Sequence, residues 1–221
     1  MSVLLLPGWG AGPELLTPLV PPGARAAAAD WDAARGPEEL VPLALGAAGR
    51  LDGRLVVVAW SLGAMVALEA LPALAGRLAA LHLVAPCLRF TDAWPSRVLA
   101  RMRRRCVEDP AGVLAAFAGS MAAPGEPAPA LGIDRPPAAL AAGLDYLARR
   151  ALARPAPVPR CRVRIVHGAA DSVVPAHLSA PIAEALGAER LVVAGAGHAP
   201  QLTRAAQCAA FLGVEADHAP R

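Results

Sequence analysis

Short apolar runs alternate with longer stretches rich in alanine and leucine along most of the chain. The clearest run, RLVVVAW, is continuously apolar and β-branched, as expected of a strand buried on both faces. The predicted strands are SVLLL, ARAAAADWD, RLVVVAW, LAALHLVAP, CRVRIVHG and RLVVAG. The predicted helices between and after them are PEELVPLALGAAGRL, LGAMVALEALPALAG, a segment near HLSAPIAEALG, and LTRAAQCAAFLG. Strands that alternate with helices predict an α/β fold with a mostly parallel sheet covered by helices on both faces.

The alternation is interrupted between residues 88 and 158. This stretch holds helical segments separated by AAPGEPAPALGIDRPP and closed by the proline-rich ARPAPVP. Clustered proline marks loops and borders between structural units. We therefore predict a core formed by residues 1–87 and 159–221, with a small helical insertion of residues 88–158 between two of its strands.

Length and hydropathy favour one globular unit. The chain has 221 residues, of which 56% are hydrophobic, and one core with a single elaboration is the expected organisation. No uninterrupted apolar run reaches the roughly 18 residues that a membrane span needs. The first residues, MSVLLLPGWG, lack the basic start of a signal peptide. We expect a cytoplasmic protein that is not bound to a membrane.

The four cysteines do not predict a metal site. Cys87, Cys106, Cys161 and Cys208 are far apart, and no C-x-x-C pair is present. Because free cysteine behaves as a small apolar residue, we expect these side chains to be buried in the core.

Positive charge is concentrated in the middle of the chain. All basic residues are arginine, and residues 89–160 hold 11 arginines against 6 acidic residues, an excess of 11 − 6 = +5. Residues 1–88 carry −2 and residues 161–221 carry 0. A local basic patch suits an acidic partner better than it suits nucleic acid, which a uniformly cationic surface would bind.

Ser61 lies between the clearest strand and the helix that follows it. A serine on a tight strand-to-helix turn has its hydroxyl exposed at the carboxyl edge of the sheet, and the turn needs small neighbours. Ala59 and Gly63 supply them in the pattern A-x-S-x-G. Ser61 is therefore a candidate nucleophile, although a serine in this place can also serve only as a helix N-cap.

A nucleophilic serine needs a base and an acid that orients the base. Of the five histidines, His198 lies in a glycine-rich loop, AGAGHAP, after the last predicted strand. Asp171 follows the preceding predicted strand in HGAADSVVP, and Asp92 is the alternative acid. The chain order Ser61, Asp171, His198 is that of the α/β-hydrolase triad. Alternatively, His198 is a solvent-exposed loop residue and Asp171 bonds its own turn.

A nucleophilic serine also requires backbone N–H groups that stabilise the negative charge developing in the tetrahedral intermediate. The backbone N–H of Leu62, after the candidate nucleophile, and that of Trp9, in the PGWG loop after the first strand, are the expected donors. Trp9 and Trp60 also offer an apolar wall for an acyl chain, and core packing would explain both tryptophans equally well. Phe90, at the start of the insertion, completes the candidate substrate-binding residues.

Five segments resemble the family of biotin-synthesis carboxylesterases that remove the methyl group from pimeloyl-acyl-carrier-protein methyl ester. They are LPGWG, AWSLGAMVA, TDAWP, HGAADSVVP and GAGHAPQLTRAAQCAAFL. The resemblance covers both ends of the sheet and the start of the insertion, and it fades within residues 97–155. It implies an α/β-hydrolase fold with a sheet smaller than that of many relatives.

The resemblance also implies a mechanism and a partner. Ser61 would be the nucleophile, His198 the base, Asp171 the acid, and Trp9 and Leu62 the oxyanion donors. Residues 88–158 would form a helical cap over the acyl chain, and the substrate would be carried by acyl-carrier protein. A monomer that needs no metal or organic cofactor is expected.

Arginines of the insertion are candidates for binding this partner. RVLARMRRRC places Arg97, Arg101, Arg104 and Arg105 at i, i+4, i+7 and i+8, which is one face of a helix. This face is a docking surface for acidic acyl-carrier protein or its phosphate in one interpretation, and a solvated surface in the other. Two alternative functions stay open: a general small-ester or thioester hydrolase, and a non-enzymatic binding protein with the same fold.

Overall fold

Six parallel strands form the centre of the protein. The computed structural model describes residues 1–132, 134–158 and 161–214. The strands lie in the order β2-β1-β3-β4-β5-β6, and every neighbouring pair is parallel. They are β1 (Ser2–Leu6), β2 (Arg25–Ala28), β3 (Leu55–Trp60), β4 (Leu78–Val84), β5 (Arg162–Gly168) and β6 (Glu189–Val193). The prediction of an α/β fold with a parallel sheet is confirmed.

Eight α-helices connect and flank these strands in the described part of the chain. They are α1 (Leu40–Gly49), α2 (Leu62–Leu74), α3 (Ser96–Glu108), α4 (Pro110–Met121), α5 (Pro137–Arg149), α6 (Ala180–Leu186), α7 (Pro200–Thr203) and α8 (Ala205–Leu212). The sequence predicted one helix at the end of the chain, whereas the structure has two. Arg204, with φ −136° and ψ 43°, interrupts the helical backbone between α7 and α8.

The central strands are buried on both faces. Side chains of successive strand residues point to opposite faces, and in β3 five of the six residues are buried, in the pattern BiBBBB. The same holds for Val3 to Leu6 of β1. Such continuous burial explains why the sequences of these strands are unbroken apolar runs. It also makes the carboxyl ends of β1, β3, β4 and β5 a rigid edge from which the loops project.

Helices α3, α4 and α5 occupy the stretch that the sequence predicted as a helical insertion. Helix α5 lies directly on the loop after β1: a Cβ added at Gly143 would meet the Trp9 ring at 2.5 Å. Tyr146 donates a hydrogen bond of 2.7 Å to Glu69 of α2. The predicted boundary at residue 159 lies outside the described residues, and the assignment of residues 88–158 as a separate cap stays a prediction.

Candidate active site

Ser61 occupies a strained turn between β3 and α2. Its φ of 54° and ψ of −114° place a residue other than glycine in the left-handed half of conformational space, which costs about 1–3 kcal/mol and persists only when the surroundings enforce it. The surroundings are rigid: the N–H of Ser61 donates to the Val84 carbonyl at 3.0 Å, and its own carbonyl accepts from Met65 at 3.1 Å. The turn therefore holds the serine at the carboxyl edge of the sheet, where the sequence predicted it.

Gly63 explains why this turn needs a small residue two positions after the serine. A Cβ at Gly63 would lie 2.6 Å from the carbonyl oxygen of Pro7 and closer still to the carbonyl group of Leu6. The start of α2 thus packs against the backbone at the end of β1. This contact fixes the position of the PGWG loop relative to Ser61.

The three predicted residues Ser61, His198 and Asp171 form one chain of hydrogen bonds. His198 Nε2 lies 2.9 Å from Ser61 Oγ, and His198 Nδ1 lies 2.7 Å from Asp171 Oδ2. Because an ionised carboxylate only accepts hydrogen bonds, Nδ1 carries the proton and donates to Asp171. Nε2 is then free to accept the hydroxyl proton of Ser61. This geometry is that of an activated serine, and the catalytic roles of the three residues stay predictions at this point.

Asp171 is held as a carboxylate by four hydrogen-bond donors. Oδ1 accepts from the N–H groups of Val173 and Val174 at 2.8 Å each. Oδ2 faces His198 and also His167 Nε2, at 3.2 Å. Burial by itself would raise the pKa of Asp171, but attraction to His198 and these hydrogen bonds outweigh it and hold the pKa well below its ordinary value. The carboxylate therefore stays ionised beside the imidazole.

The alternative acid, Asp92, lies in a different environment. It ends a short 3-10 turn, Phe90–Asp92, and its side chain is 49% exposed. Its ionic neighbour is Arg89, at 3.9 Å. The structure thus places Asp171, and not Asp92, against His198.

His167 is a residue of this site that the sequence analysis did not single out. It is fully buried at the end of β5, and its Nε2 lies 2.7 Å from the Val174 carbonyl as well as 3.2 Å from Asp171. Both neighbours are acceptors, so Nε2 donates to them. The spacing of four residues between His167 and Asp171, across the turn after a buried strand, was the signal available in the sequence.

The two predicted oxyanion donors lie on either side of the Gly63 contact. Leu62 is the first residue of α2, where backbone N–H groups lack helical partners and favour negative charge. Trp9 follows Gly8 in the loop after β1, and its indole Nε1 donates to the Leu140 carbonyl of α5 at 2.9 Å. The loop is therefore anchored both to the sheet and to α5.

The aromatic residues predicted to bind substrate are buried. Trp60 is fully buried; its indole donates to the His198 carbonyl at 2.9 Å, and its ring centroid lies 5.7 Å from that of His198. Trp60 thus packs against the His198 ring and hydrogen-bonds to its backbone. Its substrate-binding role stays a prediction. An aromatic cluster is formed by Trp9, Phe117, Trp94 and Phe90. The ring centroids are 5.0 Å apart for Trp9 and Phe117, 5.9 Å for Phe117 and Trp94, and 6.0 Å for Trp94 and Phe90. This cluster lines the junction between α4 and the loop after β1.

The predicted partner-binding arginines all lie on α3 and are exposed: Arg97, Arg101, Arg104 and Arg105. Arg101 and Arg105 line a groove of about 160 Å³ between α3 and α4. The floor of this groove is apolar and includes Trp94, Met102 and Phe117. Arg105 also lies 3.4 Å from Asp109. The groove therefore combines a cationic rim with a floor that belongs to the aromatic cluster.

Among the described residues, no helix has both the length and the apolar character needed to cross a membrane.

Comparison with known proteins identifies the family. The sequence model of the alpha/beta hydrolase family matches residues 3–211. A pimeloyl-[acyl-carrier protein] methyl ester esterase from Aromatoleum aromaticum is 30% identical over 96% of both chains.

Solved structures show the same fold. An esterase from Exiguobacterium antarcticum has a TM-score of 0.76 at 16% identity, covering 96% of this chain and 92% of its own. An enol-lactonase from Burkholderia xenovorans has a TM-score of 0.76 at 16% identity, covering 96% of this chain and 90% of its own. At such low identity these structures are informative about the fold alone.

Proposed function

Since the chain belongs to the α/β-hydrolase family and is a carboxylic ester hydrolase, we propose that it hydrolyses the methyl ester of pimeloyl-acyl-carrier protein in biotin synthesis. The observation that carries the proposal is the hydrogen-bonded chain from Ser61 through His198 to Asp171. The methyl ester esterase from Aromatoleum aromaticum, matched over 96% of both chains, supports the choice of substrate. The enzyme acts as a cytoplasmic monomer in this proposal.

The first half of the reaction forms an acyl-enzyme. Ser61 Oγ attacks the ester carbonyl while His198 Nε2, 2.9 Å away, takes the hydroxyl proton. The carbonyl oxygen becomes an oxyanion that accepts hydrogen bonds from the N–H groups of Trp9 and Leu62. When the tetrahedral intermediate collapses, His198 returns the proton to the departing methoxy oxygen and methanol leaves.

The second half releases the acid. Water attacks the acyl-enzyme carbonyl while His198 takes one of its protons, and the same N–H groups stabilise the oxyanion. Collapse of this intermediate breaks the bond to Ser61 Oγ, which receives the proton from His198. The product is the free carboxylic acid, still attached to its carrier. Asp171 stabilises the imidazolium in both halves because it stays ionised beside Nδ1.

Helices of the segment 88–158 form the acyl-binding cap in this proposal. Helix α5 contacts the PGWG loop after β1, the oxyanion loop of this proposal, through Gly143 and through the bond from Trp9 to Leu140. The cluster of Trp9, Phe117, Trp94 and Phe90 supplies apolar surface next to that loop. The pimeloyl group consists of methylene groups between two carbonyl carbons, so apolar walls beside the reacting carbonyl favour binding of its methylene chain.

The arginines of α3 bind the carrier protein in this proposal. Clustered guanidinium groups attract acidic proteins and phosphate groups, mainly by raising the association rate. Arg101 and Arg105 flank a groove that leads to the aromatic cluster. Their position therefore suits a carrier whose acyl chain must reach Ser61.

Charge reversal tests this docking surface. The double variant Arg101→Glu with Arg105→Glu is expected to slow hydrolysis of the carrier-linked ester by at least about tenfold, and added salt should shrink the difference. Hydrolysis of p-nitrophenyl acetate should be unchanged, because Ser61 and His198 are untouched. The control, Arg25→Glu with Arg154→Glu, reverses two exposed arginines elsewhere. Equal losses on both substrates, or no loss on either, would contradict docking at α3.

Genetic complementation tests the function as a whole. Expression of this chain should restore growth without biotin to a strain that lacks its own methyl esterase, and the Ser61→Ala variant should not. A purified protein that hydrolyses short esters while failing to support growth would identify a general esterase instead.

A further inference from the structure

The loop that carries His198 is held from outside the sheet by the segment that follows α4. The N–H of His198 donates to the Met121 carbonyl at 2.8 Å, at the end of α4. The neighbouring N–H, that of Gly197, donates to the Glu126 carboxylate at 2.9 Å. Two successive amides of the histidine loop are thus bonded to residues 121–126 and not to a strand.

The two segments approach each other at backbone distance. A Cβ at Gly197 would lie 2.7 Å from the backbone nitrogen of Ala123 and closer still to the carbonyl oxygen of Met121. Because Cβ contacts under about 3.0 Å essentially do not occur in proteins, only glycine fits at this position. The histidine loop is therefore in direct backbone contact with the segment after α4.

Glu126 is the polar centre of this contact. Its side chain is only 6% exposed, and the oxygen that accepts from Gly197 also accepts from the Ala123 N–H at 3.2 Å. The other carboxylate oxygen lies 3.2 Å from Arg204. Burial works to raise the pKa of Glu126, but the nearby Thr203 hydroxyl, the N–H groups of Gly197 and Ala123, and Arg204 together lower it. The carboxylate is therefore ionised and links both segments.

A groove borders this link on one side. A cavity of about 500 Å³ separates the two segments just beyond it, lined by Pro124, Pro127 and Pro129 on one side and by Leu202, Thr203 and Arg204 on the other. Where the segments diverge around this open space, the Glu126 carboxylate and the bond from His198 to Met121 are polar contacts that join them.

We propose that Glu126 is a positioning residue that holds the His198 loop against the segment after α4 and so keeps the imidazole aligned with Ser61. It acts through Gly197 and touches no reacting atom. The inference rests on the proposed roles of Ser61 and His198, and it does not depend on which ester is the substrate. Misplacing a catalytic group by about 1 Å can lower a rate by about 10², so loss of the carboxylate should affect kcat.

Three variants test this role. Glu126→Ala removes both acceptor oxygens, whereas Glu126→Gln keeps a carbonyl oxygen that can accept from Gly197 and Ala123. Glu108→Ala removes an exposed glutamate at the end of α3 and serves as the matched control. The measurements are kcat and KM for p-nitrophenyl acetate, the melting temperature, and the rate and final extent of Ser61 labelling by a fluorophosphonate.

The expected result separates alignment from folding. Glu126→Ala should lower kcat and the labelling rate by at least about tenfold, with KM nearly unchanged and labelling still complete at long times. Glu126→Gln should stay within about threefold of the unmodified protein because the hydrogen bonds to the loop persist. Glu108→Ala should be unchanged in every measurement.

Two results would overturn the inference. One is an unchanged labelling rate in Glu126→Ala. The other is a fall in kcat that is fully explained by an equal fall in the final extent of labelling, because this would mean that part of the protein is misfolded. A protein that labels and hydrolyses the small ester without acting on carrier-linked ester would refute the proposed substrate and leave this test intact. Failure of the unmodified protein to label would refute both proposals.

Discussion

Replacing Gly63 with alanine should displace the oxyanion loop while leaving Ser61, His198 and Asp171 in place. The added Cβ would lie 2.6 Å from the Pro7 carbonyl oxygen and closer still to the Leu6 carbonyl group, where contacts under about 3.0 Å essentially do not occur. Both neighbours are backbone atoms, so no side chain can rotate away. Because Ser61 is held by its bonds to Val84 and Met65, we expect the end of β1 to withdraw, by several tenths of an ångström to about 1 Å on the contact distances above, and Trp9 to move with it.

The size of the effect follows from the proposed oxyanion contact with the Trp9 N–H. A donor displaced by about 1 Å no longer forms a hydrogen bond of normal length, and removal of one oxyanion donor lowers kcat by about 10²–10³. Forcing a methyl group into a well-packed site also costs about 1–3 kcal/mol of stability. Gly63→Ala should thus remain folded with a lower melting temperature, a kcat reduced by about 10²–10³, and a KM that changes little.

The assay compares kcat and KM for a short uncharged ester with thermal unfolding followed by circular dichroism. Gly46→Ala is the matched control because Gly46 is exposed within α1 and an added Cβ meets nothing within 4 Å. That change should raise stability by about 0.5–1 kcal/mol and leave kcat unchanged. A Gly63→Ala variant that keeps more than about a third of the original kcat would refute the predicted displacement of the Trp9 N–H.

Two further predictions concern buried titratable groups. Asp171→Asn should lower kcat by about 10⁴ because the imidazole is left in the wrong tautomer, whereas Asp92→Asn should keep nearly full activity; the opposite ranking would show that the acid is misplaced. Burial, with Arg164 and Arg162 nearby, lowers the pKa of His82 from 6.5 to about 4, so the unfolded chain binds the proton more readily and stability is lost as the pH falls below 6.5. Between pH 7 and pH 5 the free energy of unfolding should fall by about 2 kcal/mol because of this group. Urea unfolding of the His82→Leu variant should show a correspondingly smaller fall between the two pH values. An equal fall in both proteins would exclude His82 as its source.

The sequence was sufficient to predict the sheet and the residues along its edge. Ser61 and Asp171 follow apolar strands, and in a parallel sheet the loops after the strands meet at one edge. His198 follows β6 in the same way. Their common edge was therefore predictable from the alternation of strands and helices. The distances of 2.9 and 2.7 Å between their polar atoms also require the loop after β6 to reach back across β5 and β4.

Contacts between distant loops could not be predicted in this way. The bond between Glu126 and Gly197 joins residues 71 positions apart, and nothing in the periodicity of either segment specifies it. Trp60 illustrates the same limit, because an apolar ring at a strand end fits an acyl pocket as well as a core. Its bond to the His198 carbonyl depends on where the last loop folds back. Helical and strand patterns record which face is buried, but not the partner that covers it.

The most direct test of the proposed function follows the substrate itself. Purified protein is mixed with the methyl ester of pimeloyl-acyl-carrier protein, and the mass of the intact carrier protein is measured over time, together with that of a Ser61→Ala reaction. Alanine is tolerated at such a turn, since Ala85 has φ 48° in the same protein, so the variant should keep its fold. We expect conversion of the ester to the free acid by the unmodified protein, and a rate at least about 10⁴ lower for Ser61→Ala. A carrier-protein mass that does not change, or a variant that keeps more than about a tenth of the rate, would contradict it.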